Sequence, residues 1–330
     1  MIKQVLRFTF GIIAALACLF SLTGLFGSWG EFFDLTSHFY LFYLPIEITA
    51  VIILFWARAY RWALAVFLLS CICIFQILPF YFSGTPQAVI RPAQKIRVLQ
   101  FNTWASNQHP ELIASVLSKV HPDFAALEEI SAPNYHALLQ TTIIQAYPYR
   151  AWAQAARLLL LSRYPFKTKP EFDTNPITIQ VTAEIEKQPI SLVMTHTTRP
   201  MAGSYRLYCR QMETLIQRLN RQPKPLIIMG DLNTGPWSSS FQQLLKNTQL
   251  RNTQIGQGIQ PTYPYHIPKT QIVWPFPVLP LDHVLVSHDI QVLHRWNGPY
   301  GGSDHLPVVV ELDIARERAG SESSYQLRKH

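Results

Sequence analysis

Apolar and polar positions divide the 330-residue chain into two parts. Residues 8–30 and 62–83 are uncharged apolar runs, each long enough to cross a hydrocarbon core of ~30 Å as a helix. A third run, residues 39–57, lies between them and is interrupted only by Pro45 and Glu47. The pattern therefore predicts three transmembrane helices in the N-terminal part of the chain.

Basic residues predict the orientation of these helices. Lys3 and Arg7 precede the first run, and Arg58 and Arg61 lie between the second and third runs, whereas the loop between the first and second contains no Lys or Arg. Because basic loops stay on the cytoplasmic side, the N-terminus is expected in the cytoplasm and the chain beyond the third helix outside it. The expected location is a bacterial inner membrane, crossed several times, with the C-terminal part facing the periplasm.

The carboxylate in the second run needs its own explanation. A charged side chain inside a bilayer is costly unless it is protonated, paired or able to reach the interface. Glu47 lies near the predicted outer end of its helix. The favoured interpretation is that it reaches the interface, and a functional site within the membrane is the alternative.

The remainder of the chain has the pattern of an α/β domain. The transmembrane region is assigned to residues 1–83, a linker to 84–95, the domain to 96–314 and a disordered tail to 315–330. Apolar spacing predicts amphipathic helices at Pro110–Val120 and Tyr205–Leu219. Short apolar runs predict strands at Ile96–Asn102, Phe124–Leu127, Leu158–Leu161, Ile177–Glu186, Ile190–Thr195, Leu226–Met229, Val284–Ser287 and Val308–Leu312.

Polar residues capable of chemistry follow the ends of these strands. Strand ends that deliver such side chains to one rim of a sheet build a site on a rigid scaffold. The set contains carboxylates, amides and histidines but no thiolate, which suits a hard divalent cation such as Mg²⁺, or Mn²⁺ as a second possibility. The residues are Asn102, Glu129, His196, Asp231, Asn233, Asp282, Asp304 and His305.

Net charge and cysteine content add little to the prediction of function. The formal net charge is +8, and the basic balance of the C-terminal part favours anionic substrates, although such a balance is equally common without functional meaning. Three of the four cysteines lie in apolar runs and Cys209 is isolated, so neither a disulfide framework nor a thiolate metal site is indicated.

The order of the motifs resembles a known family. From Ile96 to Leu312 the chain contains, in sequence, Gln-Phe-Asn, Leu-Glu-Glu, Leu-Ser-Arg-Tyr-Pro, Thr-His, Gly-Asp-Leu-Asn, Leu-Asp-His and Gly-Ser-Asp-His. This series resembles the endonuclease/exonuclease/phosphatase (DNase I-like) superfamily, and the N-terminal runs would make the chain a membrane-anchored bacterial member. The resemblance implies a four-layer α/β/β/α sandwich with the site at one edge of the two sheets.

The resemblance also implies a metal centre and a pair of polar residues beside it. Glu129 would be the main ligand of Mg²⁺, assisted by Asn102 and Asp304. Asp231 would orient or deprotonate the attacking water, and Asn233 would hydrogen-bond the phosphate as charge develops on it.

Histidines complete the implied machinery. His305, held by Asp282, would contact or protonate the phosphoryl group, and His196 would assist the leaving oxygen. Successive side chains of a strand point to opposite faces of the sheet. His283 should therefore point away from Asp282 and have a structural role, and Glu128, next to Glu129, should point away from the site.

These observations predict a membrane-anchored, Mg²⁺-dependent phosphoesterase that uses water as the nucleophile, with phosphodiesters favoured. The expected partners are the membrane and a phosphate-ester substrate, either a phospholipid head group, a nucleic acid or a small phosphoester, and no protein partner is predicted. A nuclease acting on DNA or RNA is the alternative enzyme. A catalytically inactive membrane scaffold or binding protein is the alternative of another class.

Overall fold

The computed structural model of the protein describes residues 2–82, 93–201, 203–265 and 278–315. Most of the predicted linker at 84–95 and of the predicted tail at 315–330 lies outside these residues. The last three positions assigned to the linker belong to the first strand, which begins at Ala93.

The N-terminal part is a helical bundle. Two stretches, Gln4–Gly24 and Tyr60–Phe80, are long and apolar enough to cross a membrane, and a bent pair of helices would be a third span if its two segments act as one. The first helix ends at Gly24 rather than at residue 30, close to Tyr40, whose hydroxyl would lie 2.7 Å from a Cβ added to Gly24. The helices are α1 (Ile2–Gly24), α2 (Glu31–Ser37), α3 (Tyr40–Trp56) and α4 (Tyr60–Ile77).

The carboxylate of α3 lies inside the bundle. Glu47 has no exposed surface, and its Oε1 accepts a hydrogen bond from the Ser21 hydroxyl of α1 at 3.0 Å. The prediction that Glu47 reaches the interface is therefore wrong. Its hydrogen bond joins two helices instead, as is usual for polar side chains in helix bundles within a membrane.

The rest of the described chain contains two six-stranded sheets. The strands of the first are β1 (Ala93–Asn102), β2 (Phe124–Glu128), β3 (Tyr149–Ala153), β4 (Leu158–Ser162), β11 (Ile290–Asn297) and β12 (Val308–Ala315). They lie in the order β11-β12-β1-β2-β4-β3. The central strand β1 pairs antiparallel with β12 and parallel with β2.

The strands of the second sheet are β5 (Glu171–Thr174), β6 (Ile177–Ile185), β7 (Gln188–His196), β8 (Leu226–Asp231), β9 (Arg251–Asn252) and β10 (Asp282–Val286). They lie in the order β5-β6-β7-β8-β10-β9. The hairpin of β6 and β7 turns at Glu186 and Lys187, which adopt positive φ angles of 48° and 72°, as the tight turns that join such strands require.

Helices cover the outer face of each sheet. On the first sheet lie α5 (Pro110–Val120) and α6 (Ala132–Leu139), and on the second lie α7 (Tyr205–Leu219) and α8 (Ser239–Thr248). One apolar core fills the space between the sheets, and a further core lies between each sheet and its helices. The predicted four-layer α/β/β/α sandwich is thereby confirmed.

Candidate active site

The eight predicted residues meet at one edge of the two sheets. Asp231 ends β8 and pairs directly with Asp282, the first residue of the antiparallel strand β10. Asn102 ends β1, and its amide connects the two sheets by donating to Asp231 of the second sheet. His196 ends β7, whereas the remaining residues lie in loops that begin where strands end. Strand ends therefore build the site, as the sequence predicted.

Asn102 and Glu129 lie side by side. The Asn102 amide nitrogen donates to Glu129 Oε1 at 3.2 Å and to Asp231 Oδ2 at 3.0 Å. Glu129 has a left-handed backbone, φ 52°, which directs its carboxylate into the site, where Oε2 accepts the Ala105 N–H at 3.1 Å. The Glu129 side chain remains one-fifth exposed, so its carboxylate can reach a bound ligand.

Asp304 adds a second carboxylate to this side of the site. Burial raises the pKa of Asp304, the His305 and Arg199 charges oppose that effect, and the Glu129 charge adds to it. The two carboxylates thus lie close enough to repel each other. A divalent cation between them would relieve that repulsion, and oxygen donors of this kind fit Mg²⁺. The carboxylates of Glu129 and Asp304 therefore fit the implied metal, whereas the Asn102 amide directs its nitrogen toward Glu129 and its oxygen toward the Trp104 N–H.

Asp231 and His196 face each other across the site. Asp231 is almost fully buried, and its Oδ1 accepts the Asn233 N–H at 2.8 Å. The His196 Nε2 lies 3.7 Å from Glu129 Oε1 and 3.8 Å from Asp231 Oδ2, at the more exposed side. The Asn233 amide donates to the Thr197 carbonyl at 2.8 Å, which holds it beside His196.

Asp282 and His305 form a buried dyad. His305 Nδ1 lies 2.7 Å from Asp282 Oδ2, and its Nε2 points toward Asp231, 3.8 Å from Oδ2. Burial alone would lower the pKa of His305, but the charges of Asp282, Asp231 and Asp304 and the hydrogen bond that Nδ1 donates to Asp282 raise it to about 10. Burial would raise the pKa of Asp282, yet the His305 charge and hydrogen bonds from His305, Thr262 and Gln100 hold it below its usual value. The surrounding carboxylates therefore favour the protonated form of the imidazole that faces the site.

A second grouping of possible metal ligands overlaps this dyad. Asp231, Asp282 and His305 can each offer one ligand atom, and these three atoms lie within 4.8 Å of one another. Both Asp282 oxygens, however, already accept hydrogen bonds from protein groups. Glu129, which is partly exposed, is the better placed carboxylate for a cation.

Three buried residues at the site were missed by the sequence analysis. Glu128 has no exposed surface, and its Oε2 accepts the Asp231 N–H at 2.8 Å and the Gln100 amide at 3.2 Å. The prediction that Glu128 points away from the site is wrong, because β2 ends at Glu128 and strand alternation does not continue into Glu129. Gln100 shares a face of β1 with Asn102, two residues away, and that spacing could have revealed it. The third residue, Thr262, donates its hydroxyl hydrogen to Asp282 Oδ2.

His283 has a structural role, as predicted. Its ring is buried and turned away from the dyad, with Nε2 2.8 Å from the Thr234 carbonyl oxygen. A carbonyl oxygen can only accept, so Nε2 carries the hydrogen. Burial lowers the pKa of His283 to about 4 and keeps the ring neutral.

The fold and the site together are those of a phosphoester hydrolase built on a four-layer α/β/β/α sandwich. The sequence profile of the Endonuclease/Exonuclease/phosphatase family matches residues 99–305, more than half of the chain. The protein belongs to this family, which confirms the resemblance predicted from its motifs. No match is found among curated proteins.

Solved structures confirm the fold. The chain is similar to an endonuclease/exonuclease/phosphatase from Bacteroides vulgatus, with a TM-score of 0.57 and 13% identity over 67% of this chain and 99% of that one. It is also similar to a family protein from Bacteroides thetaiotaomicron, with a TM-score of 0.55 and 14% identity over 68% and 96% of the chains. The human Nocturnin catalytic domain, solved with a bound sulfate anion, has a TM-score of 0.51 and 19% identity over 69% and 99%.

Proposed function

We propose that the protein is a membrane-anchored, Mg²⁺-dependent phosphoester hydrolase that acts preferentially on phosphodiesters. The observation that carries the proposal is that Asp231 lies beside both the Asp282–His305 dyad and Glu129. Its Oδ2 is 3.8 Å from His305 Nε2, and the Asn102 amide donates to both Asp231 and Glu129. Such an arrangement offers a cation ligand, a base and an acid around one small volume, as hydrolysis of a phosphate ester requires.

Glu129, Asn102 and Asp304 would hold the cation. A bound Mg²⁺ would polarise a phosphoryl oxygen and neutralise the charge that develops on it. Asp231 orients the attacking water and accepts its proton as the new P–O bond forms. His196 donates a proton to the leaving oxygen as the opposite P–O bond breaks.

His305 and Asn233 act on the phosphoryl oxygens. The protonated His305 ring, held by Asp282, contributes a positive charge and a hydrogen-bond donor. The Asn233 amide adds a neutral donor next to Thr197. Donors that are already oriented stabilise the transition state without reorganisation during the reaction.

Membrane anchoring is supported by the apolar stretches Gln4–Gly24 and Tyr60–Phe80. The distribution of Lys and Arg favours an orientation with the catalytic domain on the non-cytoplasmic side, which is the periplasm in the bacterial inner membrane that we propose. The proposal predicts that the full chain stays in the membrane fraction after carbonate extraction. Release into the supernatant would exclude a transmembrane anchor.

The full chain, purified in detergent, should hydrolyse bis(p-nitrophenyl) phosphate when Mg²⁺ is present. EDTA should abolish the activity, and Asp231→Asn should lower kcat by about 10²-fold or more, in the range typical of general acid–base groups. Phospholipid vesicles and single- and double-stranded DNA then distinguish a lipid phosphodiesterase from a nuclease. A folded, Mg²⁺-binding protein that is inactive on all of these would refute the proposal in favour of a scaffold.

A further inference from the structure

The N-terminal helices contact the loop that carries two of the proposed catalytic residues. This segment, the catalytic loop, covers residues 231–239: it begins at Asp231, includes Asn233 and ends at Ser239, the first residue of α8. It packs against α2 and the beginning of α3. The contacts are specific polar ones, which a simple tether would not require.

Asp34 of α2 is the first of these contacts. It is 1% exposed, and its Oδ1 accepts the Ser239 N–H at 2.6 Å. Its Oδ2 accepts the Tyr205 hydroxyl of α7 at 3.2 Å. The carboxylate thus occupies the N-terminus of α8, where the helix dipole favours negative charge. A buried carboxylate with two donors from another part of the chain is a defined docking contact, because an unpaired one would be strongly unfavourable.

His38, between α2 and α3, is the second contact. It is 5% exposed, and its Nε2 lies 3.3 Å from the Thr234 hydroxyl oxygen. Thr234 donates its hydroxyl hydrogen to Ser238 at 2.6 Å, so His38 must be the donor to Thr234. Because His283 donates to the Thr234 carbonyl from the other side, Thr234 is held between β10 and the N-terminal bundle.

Trp237 anchors the apolar part of the contact. Its indole N–H donates to the Gln76 carbonyl of α4 at 2.9 Å, and its ring lies 5.8 Å from that of Tyr40 and 5.6 Å from that of Phe80. The ring is only 7% exposed as a result. The bundle therefore contacts the catalytic loop from Thr234 to Ser239.

We propose that Asp34 and His38 are positioning residues for catalysis and that the N-terminal bundle is part of the catalytic unit. Thr234 directly follows Asn233, so a shift of Thr234 moves the Asn233 amide and, through the Asn233 N–H, the Asp231 carboxylate. Displacements of about 1 Å at reacting groups can lower rates by about 10²-fold. The inference rests on the proposed hydrolase activity.

The test uses the full chain in detergent with bis(p-nitrophenyl) phosphate and Mg²⁺. Asp34→Asn and His38→Leu should each lower kcat about 10-fold or more while changing KM by less than about 3-fold, because the loop acts in the transition state. His38→Gln can still donate to Thr234 and should restore most of the activity. The matched control is Glu31→Gln, on the same helix, whose side chain makes no hydrogen bond or ion pair with any described residue.

Hydrogen exchange at residues 231–239 supplies a readout independent of activity. It should increase in Asp34→Asn and His38→Leu and remain unchanged in Glu31→Gln. If a variant does not fold, Tyr205→Phe, which removes the hydrogen bond of the Tyr205 hydroxyl to Asp34, should still lower kcat and loosen the loop. An inactive wild-type protein would contradict the proposed function. An active wild type with unchanged kcat and exchange in all variants would overturn the present inference.

The opposite end of the bundle carries an independent feature, a groove of about 840 Å³ between α1, α3 and α4. Its apolar side is lined by Phe8, Ile12 and Leu54, and its mouth by Arg7, Arg58 and Arg61; none of its lining residues is acidic. Arg7 is engaged, because its Nε donates to the Ala57 carbonyl at 2.7 Å.

Arg58 and Arg61 are free to bind a ligand. Both are exposed, and neither guanidinium makes a hydrogen bond or ion pair within the described residues. Trp62, beside them, is 70% exposed, as is typical of aromatic residues at a membrane interface. A cationic mouth above an apolar groove complements a molecule with an anionic head and a hydrocarbon chain.

We infer that this groove binds an anionic phospholipid, with the phosphate on Arg58 and Arg61. Native mass spectrometry of the full chain should show phosphatidylglycerol retained at least about 5-fold more than phosphatidylcholine. R58Q combined with R61Q should remove the preference, whereas R221Q, an exposed arginine of the catalytic domain, should not. Equal retention of both lipids, or an unchanged preference in the double variant, would overturn the inference. Because it rests on membrane anchoring, carbonate extraction identifies failure of that premise separately.

Discussion

Replacing Asp282 with asparagine tests the proposed role of the dyad most directly. Asp282 has no exposed surface, and each of its oxygens accepts from a protein donor. Oδ1 accepts the Gln100 amide at 2.7 Å, whereas Oδ2 accepts the Thr262 hydroxyl and faces His305 Nδ1 at 2.7 Å. An asparagine fits the same space, but its NH₂ must face a donor in either orientation.

The expected loss follows from these contacts. A hydrogen bond to a charged group contributes about 1.5–3 kcal/mol, which corresponds to roughly 10- to 150-fold in rate if the bond is needed in the transition state. Loss of the Asp282 charge also lowers the pKa of His305, and an amide NH₂ facing Nδ1 would favour the wrong tautomer. We therefore expect kcat of Asp282→Asn to fall by about 100-fold or more.

The assay is the initial rate of bis(p-nitrophenyl) phosphate hydrolysis between pH 5 and 9, with thermal melting of each protein. Asp289→Asn, an exposed aspartate between β10 and β11, is the matched control and should retain wild-type kcat. A folded Asp282→Asn enzyme with kcat within about 3-fold of wild type would refute the role assigned to the dyad.

Three further predictions concern neighbouring residues. Glu129→Gln should weaken Mg²⁺ binding at least about 10-fold in calorimetry, whereas Glu111→Gln, far more exposed, should not. Burial and the charges of Asp231 and Asp282 raise the pKa of Glu128 well above its usual range. Glu128→Gln should therefore keep kcat within about 3-fold, and Glu128→Ala should lower the free energy of unfolding by about 1–3 kcal/mol in denaturant titrations. Because the pKa of His283 is about 4 when folded and 6.5 ordinarily, the unfolded chain binds more protons between these values. Stability should thus fall by up to ~3 kcal/mol as the pH decreases from 6.5 to 4, and His283→Gln should flatten this dependence in melts.

The sandwich, and the meeting of the eight polar residues at one of its edges, could be predicted because both depend on local patterns. Apolar runs of strand length each ended at a polar residue, and the ends of neighbouring strands meet at one edge of a sheet. Asp231 and Asp282 illustrate this, since they end and begin adjacent antiparallel strands and pair directly. None of the four edge strands β3, β5, β9 and β11 was predicted. The half-exposed pattern of β3, for example, departs from alternation.

Side-chain directions at strand ends were less predictable. Alternation holds only while the backbone stays extended, and Glu129 has a left-handed φ of 52°. Glu128 and Glu129 consequently both reach the site, one through the Asp231 N–H and the other through Asn102. The error about Glu128 therefore arose from the end of β2, where the local rule ceases to apply.

Contacts between the two parts of the chain had no local signal at all. Asp34 and Ser239 are 205 residues apart, and His38 and Thr234 are 196 residues apart. In the sequence, Asp34 is an acidic residue in a loop between apolar runs, and nothing near it specifies a partner. Its burial in the folded chain links the proposed membrane anchor to the catalytic loop, which is why we propose that the apolar N-terminal part supports Asp231 and Asn233. A catalytic domain without these helices would expose Trp237 and leave Thr234 supported from one side only, which makes the full chain the smallest unit in which the proposed chemistry should be measured.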